Sequence, residues 1–162
     1  MVRIQIKSSI KPSLFARYIG VDPGTVNLGI ASLDGYADIS TIILYQISME
    51  RDPSQINRII NARNLMINLF DNWNNLYRLI IEGSNFTGYR QTELAEIRTA
   101  IALWGYDVYR TKAEFVPPQS VRKLVFGTAK VKAHEYWENL KQWPDAAAAL
   151  SIAYYGMIKE EK

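Results

Sequence analysis

The sequence contains no cysteine, a single histidine and no long uninterrupted apolar segment. Without cysteine, disulfide scaffolds and thiolate metal sites are excluded, and the composition is compatible with a reducing compartment. No segment approaches the roughly 20 apolar residues that a membrane-spanning helix needs. Residues 1–11 alternate polar and apolar side chains and do not resemble a secretory signal. We therefore expect a soluble, cytoplasmic protein that has no membrane partner.

Repeats, low-complexity tracts and long linkers are also missing from the 162 residues. Hydrophobic residues make up 48% of the chain, which is enough to build a core and too much for a disordered protein. The sequence therefore predicts a single domain over residues 1–162.

Positive charge is in slight excess, with a net charge of +3 and an isoelectric point of about 9.1. The excess is concentrated between residues 110 and 132, where only Glu114 opposes the basic residues. Those basic residues are Arg110, Lys112, Arg122, Lys123, Lys130 and Lys132. This distribution favours an anionic partner, although a solvated face would have the same composition.

Apolar runs and turn residues predict three early strands, over residues 14–22, 28–34 and 40–47. Pro23 and Gly24 form the turn between the first two, so an antiparallel meander is expected. A helix should then begin with Asp52 as N-cap and Pro53 in its first position. Its apolar positions are Ile56, Ile59, Ile60, Ile67, Phe70 and Trp73.

The second half of the sequence predicts alternating strands and helices. A buried strand is expected over residues 77–82 and a fifth strand over residues 106–110. Between them, Thr92 to Trp104 should form a helix that ends at Gly105 and points Leu94, Ile97 and Ile101 inward. Further helices are predicted over residues 119–126, 131–141 and 145–158. The order β-β-β-α-β-α-β-α indicates an α/β fold with a mixed five-stranded sheet and helices on both faces.

Three carboxylates occupy the ends of predicted elements. Asp22 and Glu82 each terminate an apolar strand, and Asp145 follows Pro144 at the start of the last helix. Taken singly, each has an ordinary explanation as a turn residue, a solvated strand end or an N-cap. Taken together beside a basic segment, they suit Mg²⁺-dependent phosphate chemistry, because hard divalent cations bind carboxylates and water.

Four segments, in order along the chain, resemble the motifs of RuvC-type Holliday-junction resolvases. The first is VDPGT at residues 21–25, followed by NLG at 27–29. The second is IIE at residues 80–82, and the basic VRKLVFG follows at residues 121–127. The last is DAAAALSIA at residues 145–153, which is similar to a closing D-A-A-D-A-L-A-I-A pattern.

The resemblance implies a ribonuclease H-like fold and a homodimer that nicks four-way DNA junctions symmetrically during recombination and repair. It also implies Mg²⁺ or Mn²⁺, with two ions per active site, held by four clustered acids. Three of these acids map onto Asp22, Glu82 and Asp145. Such enzymes belong to the cytoplasm of bacterial or phage-infected cells.

The fourth acid of the family pattern falls at Ala148, one helical turn after Asp145. Either this homologue functions with three acids, or the chain is a variant in which alanine replaced the fourth acid to block cutting. We favour the second explanation, because the surrounding pattern is otherwise intact.

Several further residues are candidates for DNA contacts. The resemblance implies that an aromatic residue in the loop after Glu82 stacks on a junction base, and the candidates are Phe86 and Tyr89, with Arg90 beside them. Packing of the loop is the alternative role for these side chains. Phosphate contacts are expected from Arg122, Lys123, Lys130 and Lys132. His134 is interpreted as a surface residue.

Three other functions compete with a junction resolvase. The chain could be a different ribonuclease H-like nuclease, such as an RNA-processing or transposase-like enzyme. It could also be a non-catalytic junction-binding protein, which Ala148 supports. An actin-like ATP-binding protein, which shares the strand-Asp-turn-Gly beginning, is disfavoured because the chain is too short for two lobes.

Overall fold

A mixed sheet of six strands forms the centre of the molecule in the computed structural model. The structure describes residues 1–8, 17–36, 39–49, 52–70, 76–83 and 91–160. The strands are β1 (Val2–Ser8), β2 (Arg17–Asp22), β3 (Asn27–Tyr36), β4 (Ile39–Ser48), β5 (Arg78–Glu82) and β6 (Ala113–Val116). Their spatial order is β1-β4-β3-β2-β5-β6. The first four strands pair antiparallel, while β2–β5 and β5–β6 are parallel.

Helices cover both faces of this sheet, as the element order predicts. They are α1 (Gln55–Phe70), α2 (Gln91–Tyr109), α3 (Pro118–Phe126), α4 (Ala133–Tyr136) and α5 (Pro144–Glu160), with a 3-10 turn over Glu138–Leu140. Side chains alternate along β2, so Ile19 and Val21 join the core with α1 and α2, whereas Tyr18 packs with α5. Among the described residues, no helix is both long and apolar enough to cross a membrane.

The α5 helix lies unusually close to the sheet. A Cβ atom at Gly20 of β2 would overlap the backbone of Ala149 and Ala153. The facing residues of α5 are mostly alanines, which are fully buried there. Small residues on both surfaces therefore let the helix approach the sheet without voids.

The predicted α/β class is confirmed, but the sheet has six strands rather than five. The additional strand, β1, pairs antiparallel with β4 from Val2↔Gln46 to Ser8↔Ser40. The alternation of polar and apolar residues at the beginning of the chain is the pattern of a half-solvated strand.

The prediction of a strand over residues 106–110 and of a helix stop at Gly105 is wrong. The α2 helix continues to Tyr109, and the strand is β6 at Ala113–Val116. A Cβ atom at Gly105 would overlap the Leu79 side chain. This glycine therefore permits close packing of α2 on β5 and does not terminate the helix.

The start of α1 also differs from the prediction. The helix begins at Gln55, and the Ser54 hydroxyl accepts a hydrogen bond from the Asn57 N–H at 3.3 Å, so Ser54 is the N-cap. The Asp52 carboxylate instead accepts the Ser54 N–H at 2.8 Å. Of the predicted inward residues, Ile56 and Ile60 are exposed, because the buried stripe runs through Ala62, Met66 and Phe70. Trp73 and residues 14–16 lie outside the described residues.

The helix predicted over residues 131–141 is two shorter pieces, α4 and the 3-10 turn. The break falls at Trp137, whose φ and ψ of −91° and 78° are not helical. The remaining predicted elements, at β2 to β5, α3 and α5, agree with the structure to within a few residues where it describes them.

Candidate active site

A cleft of about 180 Å³ opens where β2 and β5 end and α5 begins. Val21 and Ile81 are partners in the parallel pair β2–β5, so the next residues, Asp22 and Glu82, leave neighbouring strands at the same edge. The lining residues are Asp22, Glu82, Pro118, Val121, Arg122, Phe126, Lys132, Ala133, His134, Pro144, Asp145, Ala148, Ser151 and Ile152. The structure thus brings together the three predicted acids and position 148.

Two residues of the meander place the first turn of α5 at this edge. Gly29 of β3 lies so close that a Cβ atom there would overlap the Asp145 carbonyl. Gln46, its partner on β4, donates a hydrogen bond from Nε2 to the Asp145 carboxylate. The Oε1 atom of the same amide accepts the Ala146 N–H at 3.0 Å. The Gln46 side chain thus binds the first turn of α5 through its backbone and also orients the Asp145 carboxylate.

One face of α5 forms a wall of the cleft. Asp145, Ala148, Ser151 and Ile152 recur at helical spacing, and all four line it. Ala148 is half-buried and lies on the same face as Asp145, as the spacing of three residues predicts. A carboxylate at this position would project into the cleft beside Asp145.

The acids repel one another in a poorly solvated setting. Burial raises the pKa of Asp22 well above its usual range, and the charges of Glu82 and Asp145 raise it further. Burial also raises the pKa of Glu82. Nearby Arg98 and Arg122 oppose both shifts without cancelling them. A bound cation or proton would therefore lower the electrostatic free energy of the cleft.

Arg98 of α2 is a site residue that the sequence analysis missed. Its Nε donates to the Glu82 carbonyl at 2.8 Å, and it interacts electrostatically with the Glu82 and Asp22 carboxylates. Burial lowers the pKa of its guanidinium, although these two acids counteract the effect. Nothing in the local sequence distinguishes Arg98 from a solvated helix residue, because its role depends on how α2 packs against β5.

The predicted DNA-contacting residues divide into three groups. Arg122 and Lys132 line the cleft. Lys123 and Lys130 are exposed near it but do not line it. Phe86, Tyr89 and Arg90 lie outside the described residues, so their predicted roles stay predictions.

His134 is half-buried and lines the cleft. A half-buried side chain in an open cleft still meets solvent, so the interpretation of His134 as a surface residue stays a prediction. The predicted helix around it is replaced by the short α4, which turns this segment toward the carboxylates.

Carboxylate oxygens are the donors that Mg²⁺ and Mn²⁺ prefer, so the chemistry of Asp22 and Glu82 fits such an ion. The arrangement is nevertheless incomplete. Within the described parts of the chain, no three Asp, Glu or His side chains are grouped to hold a metal ion. Asp145 is engaged by Gln46, and Ala148 offers no ligand. The cleft therefore offers carboxylate donors, but among the described residues they do not form a grouped set of three.

Neither a protein-family model nor a curated protein sequence matches this chain. Solved structures do match. Thermus thermophilus RuvC superposes with a TM-score of 0.68 at 14% identity, over 90% of this chain and 96% of RuvC. RuvC from the same organism in complex with a Holliday junction substrate gives 0.69 at 17% identity, over the same shares. The yeast mitochondrial Holliday junction resolvase Ydc2 gives 0.53 at 15% identity, over 94% of this chain and 85% of Ydc2.

These superpositions span at least 90% of this chain and at least 85% of each neighbour. At identities of 14–17% they establish the fold and leave the activity open. The predicted resemblance is confirmed at that level: the chain has the fold of the RuvC-type Holliday-junction resolvases.

Proposed function

We propose that this chain binds four-way DNA junctions and that its cleft is a metal-dependent endonuclease site weakened by alanine at position 148. The observation that carries the proposal is the convergence of Asp22, Glu82 and Asp145 in one cleft, with Ala148 beside them. Arg122 and Lys132 lie in the same cleft, where they would contact phosphates next to the carboxylates. The RuvC neighbour solved with a Holliday junction supports this choice of substrate.

In this proposal Asp22 and Glu82 would hold Mg²⁺ or Mn²⁺, and Asp145 would join them once its carboxylate is released from Gln46. When bound, one or two such ions would supply activation of water and stabilisation of the leaving oxygen of a phosphodiester. The raised pKa values of Asp22 and Glu82 mean that cation binding competes with protonation. Arg98 offsets part of the carboxylate charge, which further lowers the affinity for a cation.

The test is cleavage and binding of a synthetic four-way junction in Mg²⁺ or Mn²⁺, comparing the chain with its Ala148→Asp variant. We expect the unmodified chain to bind junctions and cut them slowly. Ala148→Asp should raise the cleavage rate at least tenfold, because a fourth carboxylate completes the donor set (tenfold is about 1.4 kcal/mol in barrier height). Ala148→Asn is the matched control, since it adds the same bulk without the charge.

Two results would contradict this proposal. Rapid cutting by the unmodified chain, with no gain from Ala148→Asp, would show that three acids suffice. Failure to bind junctions in preference to duplex DNA would remove the substrate assignment. Flaps, RNA–DNA hybrids and duplexes in the same panel distinguish a different ribonuclease H-like nuclease.

A non-catalytic junction-binding protein is the second candidate function. It is favoured by Ala148 and by the hydrogen bond that ties Asp145 to Gln46. This candidate predicts tight junction binding and no cleavage even after Ala148→Asp, so the same experiment separates the two.

We further propose that the chain acts as a homodimer, because paired cuts in a two-fold symmetric junction need two symmetry-related clefts. The apolar residues of Thr92–Trp104 are the interface predicted from the sequence. Ile97, Ile101 and Trp104 are buried in the core of the chain itself and are unavailable. Leu103 is 50% exposed, and Tyr106 in the next turn is 45% exposed, so these two support an interface on α2.

A further inference from the structure

The wall of the cleft formed by the end of α3 and the α4 segment carries aromatic side chains. Phe126, the last residue of α3, lines the cleft. The ring of Tyr136, at the end of α4, stacks on it with centroids 4.4 Å apart and an interplanar angle of 30°. Tyr136 does not itself line the cleft but is 47% exposed, so the pair extends aromatic surface from the cleft wall at Phe126 to solvent.

Tyr136 is held in place by a second aromatic neighbour. Trp137 packs edge-on against it with centroids 5.0 Å apart, and Trp137 also contacts Tyr154 of α5. The Trp137 Nε1–H donates to the Ser151 hydroxyl at 2.9 Å, and that hydroxyl donates to the Ala147 carbonyl. Since Ser151 lines the cleft one turn beyond Ala148, the aromatic wall is anchored to the helix that carries Asp145.

Positive charge accompanies these rings. Lys132 and Arg122 line the cleft together with Phe126. Lys130 and Lys132 are exposed, and no ion pair among the described residues engages either of them. Cations beside an exposed, rigidly held aromatic surface form the combination that binds single nucleic-acid strands: the cations hold phosphates and the rings accept base faces.

We propose that Phe126 and Tyr136 form a stacking platform for an unpaired nucleobase, in a strand whose phosphates contact Arg122 and Lys132. This inference rests on the proposed function, since it assigns the recognition of unstacked bases to the same cleft. A continuous duplex offers no free base face, whereas a single strand or an opened branch point does. The platform therefore selects nucleic acid with unpaired bases, with little preference for base identity.

The test measures binding of three labelled DNAs by fluorescence anisotropy: a four-way junction, a single strand and a duplex. Tyr136→Ala should weaken junction and single-strand binding by about 5- to 150-fold, the range typical of one stacked base. Tyr136→Phe should retain affinity, and duplex binding should not change. Tyr77→Ala is the matched control: Tyr77 is 51% exposed and packs edge-on against Tyr18, but it precedes β5 at the end opposite Glu82.

The dependence of affinity on salt separates stacking from charge. Tyr136→Ala should leave the slope of log K against log salt unchanged, while Lys132→Gln should reduce its magnitude by about one. A second probe is 2-aminopurine placed in the single strand. Its fluorescence should be quenched by the unmodified chain and by Tyr136→Phe, and much less by Tyr136→Leu, which keeps apolar packing without an aromatic face.

The outcomes distinguish this inference from the proposed function. If the unmodified chain binds no DNA, the proposed function fails and the platform fails with it. If it binds junctions, but Tyr136→Leu binds and quenches as the unmodified chain does, only the platform is overturned. An equal loss of affinity for all three DNAs in Tyr136→Leu would also overturn it, since selective base stacking would then be absent.

Discussion

Asp22 sits where a carboxylate is least stable in its charged form. Burial raises its pKa well above the usual range, and the charges of Glu82 and Asp145 raise it further. The folded state therefore binds a proton at Asp22 more tightly than the unfolded state does. The contribution of Asp22 to the free energy of unfolding is therefore greatest below the ordinary carboxyl pKa. It is lost as pH rises through the pKa of Asp22 in the folded state.

Asp22→Asn should consequently stabilise the protein at pH 7 while abolishing cation binding. We expect a rise in Tm of about 2–4 °C, which for a chain of this size is ~1 kcal/mol. The gain should shrink as pH falls through about 4, the ordinary pKa of an unfolded aspartate, and vanish below it, where the wild-type carboxyl is protonated in both states. Thermal unfolding followed by circular dichroism between about pH 3 and 8 measures it.

Glu114→Gln is the control, because the pKa of Glu114 is shifted in the direction opposite to that of Asp22. Burial alone would raise the Glu114 pKa, but hydrogen bonds and charge from Lys159 and Arg78 lower it overall. Neutralising Glu114 should therefore destabilise the protein at pH 7, with a deficit that disappears in acid. A gain in stability for both variants would contradict the electrostatic explanation and indicate a general effect of lowering negative charge.

At the residue scale, sequence reasoning finds the site residues that belong to linear motifs. Asp22, Glu82, Asp145 and Ala148 each lie in such a motif, and all four line the cleft. Gln46 escapes detection because it is 99 positions from Asp145 and reaches it only through the register of β4 on β3. Gln46 and Arg98 lie in the site because of tertiary packing, which local sequence motifs do not encode.

At the scale of elements, the position of the cleft depends on how closely α5 lies on the sheet. Gly20→Ala should be destabilising, because the added methyl group meets the backbone of Ala149 and Ala153 rather than a flexible side chain. We expect a loss of about 2–3 kcal/mol, typical of overpacking a well-filled core. Urea unfolding measures the difference through the transition midpoint.

Gly83→Ala is the matched control for Gly20→Ala. A Cβ atom there would lie 3.6 Å from its nearest neighbours, which is ordinary van der Waals contact. Its effect should stay below about 1 kcal/mol. Equal losses from both substitutions would show that the close approach of α5 is not the cause, because the lower entropy of an unfolded chain with alanine would by itself stabilise the protein.

The periodicity of apolar residues predicts helices and strands well where burial alone determines which residues are apolar. It predicts them less well where contacts between elements determine the residue. The apolar runs of β2 and β5 predict only buried strands, since both strands are covered by helices on two faces. Gly105 has two possible roles, because a glycine can end a helix or can allow close packing. Only its proximity to the Leu79 side chain in the folded protein shows that the second role applies. In α1 the predicted inward residues Ile59, Ile67 and Phe70 do pack against the core, whereas Ile56 and Ile60 are exposed.

At the scale of the whole molecule, the proposed paired nicking requires two copies of the cleft. One chain supplies one set of acids at a single edge of its sheet, so a second chain must supply the other. An interface around Leu103 and Tyr106 would use the part of α2 that lies further along the helix than Arg98, the α2 residue that contacts the Glu82 carbonyl.

Sedimentation velocity at micromolar concentration should therefore show a dimer, with or without junction DNA. Leu103→Glu should shift the population toward monomer, because burying an unpaired charge in an apolar interface costs several kcal/mol. Phe115→Glu is the control: Phe115 is 52% exposed, compared with 50% for Leu103, but lies on β6 instead of α2. Monomeric Leu103→Glu should still bind a junction, more weakly, because each cleft is built within one chain. A wild-type protein that sediments only as a monomer, even on a junction, would contradict the dimer and with it the symmetric nicking.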